Sequence, residues 1–306
     1  METIISRRDL LQIGYGTAAA LGASGIAGEL SPVRALAQNN AYKVGNAPPT
    51  ASASGAQLFY RDDFFGEPWH RPEPALLIHG VGESSIVWYG WMPRMAQQFR
   101  VLRPDLPGFG SSKVPNNFQW SLANLAKVLA QFLDSLGIDS AHIVGAKLGG
   151  SIAMQFAADY PRRTRTLVVA SSPVSTPKFA PEMGEHLGKK WIEESQRNRL
   201  GSAASKEQVE YWIRMMNAMD QRTRNGIDQV TASLNLEPIL PRIAAPTLVI
   251  TADRSYLQSV ETVLNYQKKI PKSRLLVLST DAYHVAVAKA DECVASVLSF
   301  VQETKA

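Results

Sequence analysis

Gly145-Ala146-Lys147-Leu148-Gly149-Gly150 has the spacing of a strand-to-helix corner that normally presents a serine nucleophile, with lysine in the serine's place. The chemistry available to an amine there differs from that of a hydroxyl. A lysine that attacked an ester would form an amide far more stable to water than a serine ester, so turnover through an acyl-enzyme would stop. A neutral amine could instead condense with a ketone or aldehyde to a Schiff base. A protonated amine could hold a fixed positive charge against a developing oxyanion. The helix N-terminus behind residue 147 and any cover over it both disfavour the charged form.

Such a side chain must be held by rigid elements. Ala141 to Val144 is a short apolar run that predicts a buried strand leading in, and Ser151 to Tyr160, stopped by Pro161, predicts the helix leading out. Leu58 to Phe64, Ala75 to His79, Phe99 to Arg103, Arg165 to Ala170, Thr247 to Thr251 and Arg274 to Leu278 predict further strands. Helix-length segments with apolar residues three and four apart separate most of them, as from Leu122 to Leu136. The alternation predicts an α/β fold with a doubly wound, mostly parallel sheet. It stops between residues 173 and 241, where Trp191, Tyr211, Trp212, Met215, Met216 and Met219 recur at helical spacing. That stretch is expected to be a helical cap with a face toward an apolar cavity.

The chain has 306 residues, 45% of them hydrophobic and 19% charged, enough for one large domain with an insertion. The formal charge is +5, but Lys and Arg are scattered rather than gathered in a stripe with aromatics, which excludes nucleic acid as the expected partner. One cysteine, Cys293, cannot form an internal disulfide. Ser6-Arg7-Arg8-Asp9-Leu10-Leu11, a glycine-broken apolar run to Ala27 and Ala35-Leu36-Ala37 read as a twin-arginine signal peptide over 1–37. The expected mature protein is periplasmic or secreted, with no stable membrane span after cleavage. Residues 38–55 read as a flexible lead-in, and 56–172 with 242–306 as the core.

Four motifs in chain order resemble the α/β-hydrolase superfamily. His79-Gly80-Val81-Gly82 is similar to its oxyanion loop, which implies that the Val81 and Leu148 backbone N–H groups hold an oxyanion. Pro104 to Ser112 is similar to the loop after its fourth strand, Pro246 to Ile250 to the strand before its acid loop, and His284 falls where its catalytic histidine belongs. The resemblance implies a small-molecule substrate, a carbonyl compound or ester. It fails at two positions: lysine replaces the nucleophile, and the acid position falls on Ser255, with the nearest carboxylate, Asp253, two residues early. Asp253 and Ser255 are therefore rival supports for His284.

Four readings stay open. Lys147 forms a Schiff base, with His284 carrying protons in a C–C lyase reaction; or it stays charged while His284 acts as base in non-covalent hydrolysis or proton abstraction; or the fold is inactive, with Lys147 paired to Asp253 or Asp105 beside an apolar ligand cavity; or Ser84, Ser85 or Ser151 is the nucleophile. No cofactor or metal is expected, because no ligand cluster or phosphate loop is present in the sequence.

Overall fold

The computed structural model describes residues 50–176 and 189–305. The predicted signal peptide and most of the lead-in lie outside the described residues, as does the start of the 173–241 insertion after residue 176.

Eight strands form one sheet in the order β1-β2-β4-β3-β5-β6-β7-β8. They are β1 (Thr50–Ala53), β2 (Ala56–Asp63), β3 (Glu73–Ile78), β4 (Phe99–Pro104), β5 (Ala141–Ala146), β6 (Thr164–Ala170), β7 (Thr247–Ala252) and β8 (Ser273–Leu278). β3 to β8 are parallel, and β2 joins β4 antiparallel. All seven strands expected from the sequence form, as does the doubly wound order. The eighth, β1, corrects the flexible reading over residues 50–55; residues 38–49 lie outside the described residues. Ser54 and Gly55, both at positive φ (49° and 77°), close a two-residue hairpin that pairs Ala53 with Ala56. Two such residues match the twist of the flanking strands.

Alternate side chains of the central strands enter different layers. Leu76, Ile78, Ile143, Leu167 and Val169 pack on one face, and Ala75, Leu77, Val144, Val168 and Ile250 on the other. Both faces are buried, so the strands read as unbroken apolar runs. On the first face lies α2 (Leu122–Ser135), whose Leu125, Val128, Leu129, Phe132 and Leu133 form one stripe, beside α3 (Leu148–Asp159). The second face is covered by α1 (Met92–Gln98) and α9 (Ala290–Glu303); α7 (Val260–Gln267) and the short α8 (Val285–Ala288) complete the layers. Between β6 and β7 run α4 (Lys189–Leu200), α5 (Lys206–Asn217) and α6 (Gln221–Ala232). Ser205 and Asp220 start the last two by accepting N–H bonds from Gln208 and Thr223.

Candidate functional site

Lys147 sits at the tip of the β5–α3 corner with φ 56° and ψ −127°. That is a strained conformation for a residue with a side chain, and its cost is on the order of 1–3 kcal/mol. Lys147 N–H donates to Ala170 O of the neighbouring strand, which fixes the corner (3.0 Å). The corner is possible only because its neighbours are small. A Cβ on Gly149 would come within 2.1 Å of Ile78 O, and one on Gly145 within 2.3 Å of Gly149 O. The helix N-terminus thus lies directly against the end of β3. The loop after β3 faces the elbow equally closely, since a Cβ on Gly80 would lie 2.9 Å from Lys147 Cβ.

The decisive residue on that loop is Glu83, which the sequence reading did not single out. Lys147 Nζ donates to Glu83 Oε1 (2.7 Å), and so does Trp212 Nε1–H from α5 (3.0 Å). Gly80 N–H donates to Oε2 (2.9 Å). His284 Nε2 lies 2.9 Å from Oε1 but out of line for a hydrogen bond, and neither ring nitrogen has an aligned partner. The cluster is buried: Lys147, Glu83, Trp212 and His284 are 6%, 2%, 3% and 1% exposed. His284 is held from below by its backbone, whose N–H donates to Arg199 O at the end of α4 (2.7 Å).

Burial and charge act against each other here. Burial alone would raise the Glu83 carboxyl, but His284 and Lys147 beside it outweigh that and hold it well below the usual carboxylate range. Burial lowers the Lys147 ammonium against the opposing pull of Glu83, with Arg199 lowering it further. His284 is lowered by burial first, and then by the Lys147 and Arg199 charges, with Glu83 opposing. One buried carboxylate can neutralise one cation. Lysine is intrinsically the stronger base by about four units, so the one charge that Glu83 can neutralise is expected on Lys147 rather than on His284.

Asp253 and Ser255 do not reach His284. The Asp253 carboxylate is exposed; it accepts from Thr280 N–H (2.9 Å) and Ser279 Oγ (3.1 Å) and ties the loop after β7 to the loop after β8. Those hydrogen bonds, Thr280 first, lower its pKa. Ser255 Oγ is buried without a partner, as is His284 Nδ1. Neither expected counter-ion pairs with Lys147: Asp253 is engaged as described, and Asp105 accepts from the backbones of Ser85 (2.6 Å) and Ser111 (2.8 Å). The counter-ion is Glu83 because it stands on the loop packed against the elbow. A signal for it was present. A lysine at a buried corner demands an opposite charge, and Glu83 is the acid directly following His79-Gly80-Val81-Gly82.

Val81 is on the loop after β3, and Leu148 opens α3. Ser151 Oγ is spent on Pro173 O (2.6 Å), and Ser84 Oγ lies 4.0 Å from Met215 Sδ. The stripe on α5 packs onto this loop. A Cβ on Gly82 would strike Met216 Sδ at 2.6 Å. A cavity of about 500 Å³ opens nearby among Arg197, Tyr256 and Asp281. Its lining mixes polar and apolar side chains, Val209 of α5 among them, and none of the α5 methionines or Trp212 belongs to it. Among the described residues no group of three His, Cys, Asp or Glu side chains is placed to hold a metal ion.

A strained corner at the carboxyl end of a parallel strand, with a histidine following the last strand, defines a hydrolase-type scaffold. The chain belongs to the alpha/beta hydrolase fold family, which matches residues 73–290. It is 31% identical over 176 residues to the pimeloyl-[acyl-carrier protein] methyl ester esterase of Aeromonas hydrophila, covering 56% of this chain and 63% of that one. It is 34% identical over 99 residues to the 2-hydroxy-6-oxo-2,4-heptadienoate hydrolase of Pseudomonas putida, covering 31% and 36%. Both matches span less than two thirds of the relative's own length. The enol-lactonase of Burkholderia xenovorans superposes with a TM-score of 0.74 at 21% identity, over 83% of this chain and 100% of that one.

Proposed function

We propose that the chain is an exported hydrolase-fold enzyme that acts on a small carbonyl compound or ester without forming an acyl-enzyme. The observation that carries this is the Lys147–Glu83 pair at 2.7 Å, with His284 Nε2 2.9 Å from the same carboxylate oxygen. A protonated lysine is no nucleophile, so the ion pair disfavours the Schiff-base lyase reading. It suits charge stabilisation instead. A substrate carbonyl oxygen accepts a second N–H of the Lys147 ammonium, which keeps Glu83 as its counter-ion, and the N–H groups of Val81 and Leu148 assist. Water adds to the carbonyl carbon as its proton passes to His284, and the negative oxygen is held by Lys147. Collapse breaks the bond to the leaving group, which takes the proton back from His284. In this reading α5 is part of a cap that must move to admit substrate. Export is supported by Arg7-Arg8 and Ala35-Leu36-Ala37.

A second reading has its own support: Gly80 N–H is already taken by Glu83 Oε2, as in an inactive homologue whose site is filled from within.

Hydrolysis of p-nitrophenyl acetate, p-nitrophenyl butyrate and an enol lactone separates these readings, with wild type and Lys147→Met compared and borohydride mass spectrometry run in parallel. We expect turnover in the wild type, a kcat lower by about 100-fold in Lys147→Met, and no reduced adduct. An adduct on Lys147 would establish the Schiff-base reading. No turnover and no adduct would favour the inactive one.

A further inference from the structure

The four groups around Glu83 form a carboxylate receptor, and we infer that its natural ligand is a small monocarboxylate that replaces the Glu83 side chain. Three donors converge on the two oxygens: Lys147 Nζ and Trp212 Nε1–H on Oε1, and Gly80 N–H on Oε2. They come from three separate elements, the elbow, α5 and the loop after β3. A carboxylate with a full charge and both oxygens engaged is what this arrangement satisfies best. A neutral carbonyl in the place of Glu83 would leave the buried ammonium without its counter-charge, which is costly. The imidazole of His284 stands 2.9 Å from Oε1, with neither ring nitrogen in an aligned hydrogen bond.

Displacement is feasible because the incoming group restores every bond that Glu83 gives up. The exchange trades one carboxylate for another, so the desolvation of Lys147 is not repeated. The loop carrying Glu83 has Gly82 in the left-handed region (φ 69°), a position where the backbone can re-orient at low cost. Because Trp212 belongs to α5, release of Glu83 also releases this helix's hydrogen bond to the loop. The ligand class matches the acid that ester hydrolysis liberates. The inference rests on the proposed function only in placing a ligand beside Lys147, and it is tested by binding rather than turnover.

The test uses the full chain. Thermal denaturation of Glu83→Ala is followed against sodium acetate, with acetamide and sodium chloride at matched concentration and ionic strength as controls. Tm is expected to rise saturably and then with the logarithm of acetate concentration, with no comparable rise in the controls or in Glu83→Ala/Lys147→Met. In parallel, wild-type tryptophan fluorescence is titrated with butyrate. A saturable change that is absent in Trp212→Phe is expected. Equal responses of Glu83→Ala to acetate and acetamide would overturn the inference. So would a wild type silent to butyrate, since Glu83 would then be a permanent structural partner. If Glu83→Ala does not fold, the wild-type titration decides alone.

Discussion

The residue at the elbow is held by two opposed energies. Its strained backbone costs on the order of 1–3 kcal/mol, while a buried ion pair broken on one side costs about 3–5 kcal/mol. The pair therefore wins. Lys147→Gly is expected to be destabilised despite relief of the φ 56° strain, and adding Glu83→Gln should recover part of the loss; chemical denaturation of the three proteins measures the order. The same competition sets the state of the imidazole. With Lys147 removed, Glu83 has only His284 to neutralise it. Lys147→Met is expected to raise the His284 pKa relative to wild type, read from the pH dependence of its ring resonances by NMR.

At the scale of elements, the site depends on which loops meet at the carboxyl ends of β3, β5, β7 and β8. The sheet was legible in the sequence because strands buried on both faces leave unbroken apolar runs, as Ala75 to Ile78 and Thr247 to Ala252 do. The elbow was legible through the small residues around Lys147, and His284 through its place after the last strand. Glu83 was not read because its importance comes from its ion pair with Lys147, a contact across 64 positions that no local period encodes. β1 was missed because its residues, Thr50 to Ala53, are small and show no apolar alternation; only the Ser54-Gly55 turn marked it. The loop arrangement also predicts that Lys147→Ser alone creates no esterase. Glu83 would still sit in the donor loop, and His284 Nδ1 would still lack an acid. Lys147→Ser/Glu83→Ala/Ser255→Asp is expected to gain p-nitrophenyl acetate hydrolysis, because residue 255, the acid position of the family resemblance, then carries a carboxylate longer than the serine, and His284 Nδ1 is buried without a partner. Equal rates in the single and triple variants would contradict this.

For the whole molecule, buried titratable groups give stability a direction with pH. His79, His142 and His284 are all lowered, in each case first by burial. His79 is locked neutral, accepting the Leu106 N–H at Nε2 (2.9 Å), with Nδ1 set 2.8 Å from Gly80 O. Below about pH 6.5 the unfolded chain takes up these protons before the folded one, so the unfolded state binds more protons and stability falls as pH falls. Glu83 acts with the same sign. Its folded pKa is depressed, so its contribution is present above about pH 4.3 and lost as pH falls further through the folded value. Tm is expected to decline from pH 7 to pH 5 and more steeply below pH 4. His284→Phe should flatten part of the upper limb, and an unchanged profile would remove His284 from the set of groups held neutral.

All of this depends on where one proton rests. Nitrogen-15 NMR of the Lys147 side chain at neutral pH, assigned by its loss in Lys147→Met, reports it directly. A three-proton ammonium coupled to the Glu83 carboxylate, alongside an uncharged His284 ring, is the predicted result. A neutral amine beside an imidazolium would contradict it.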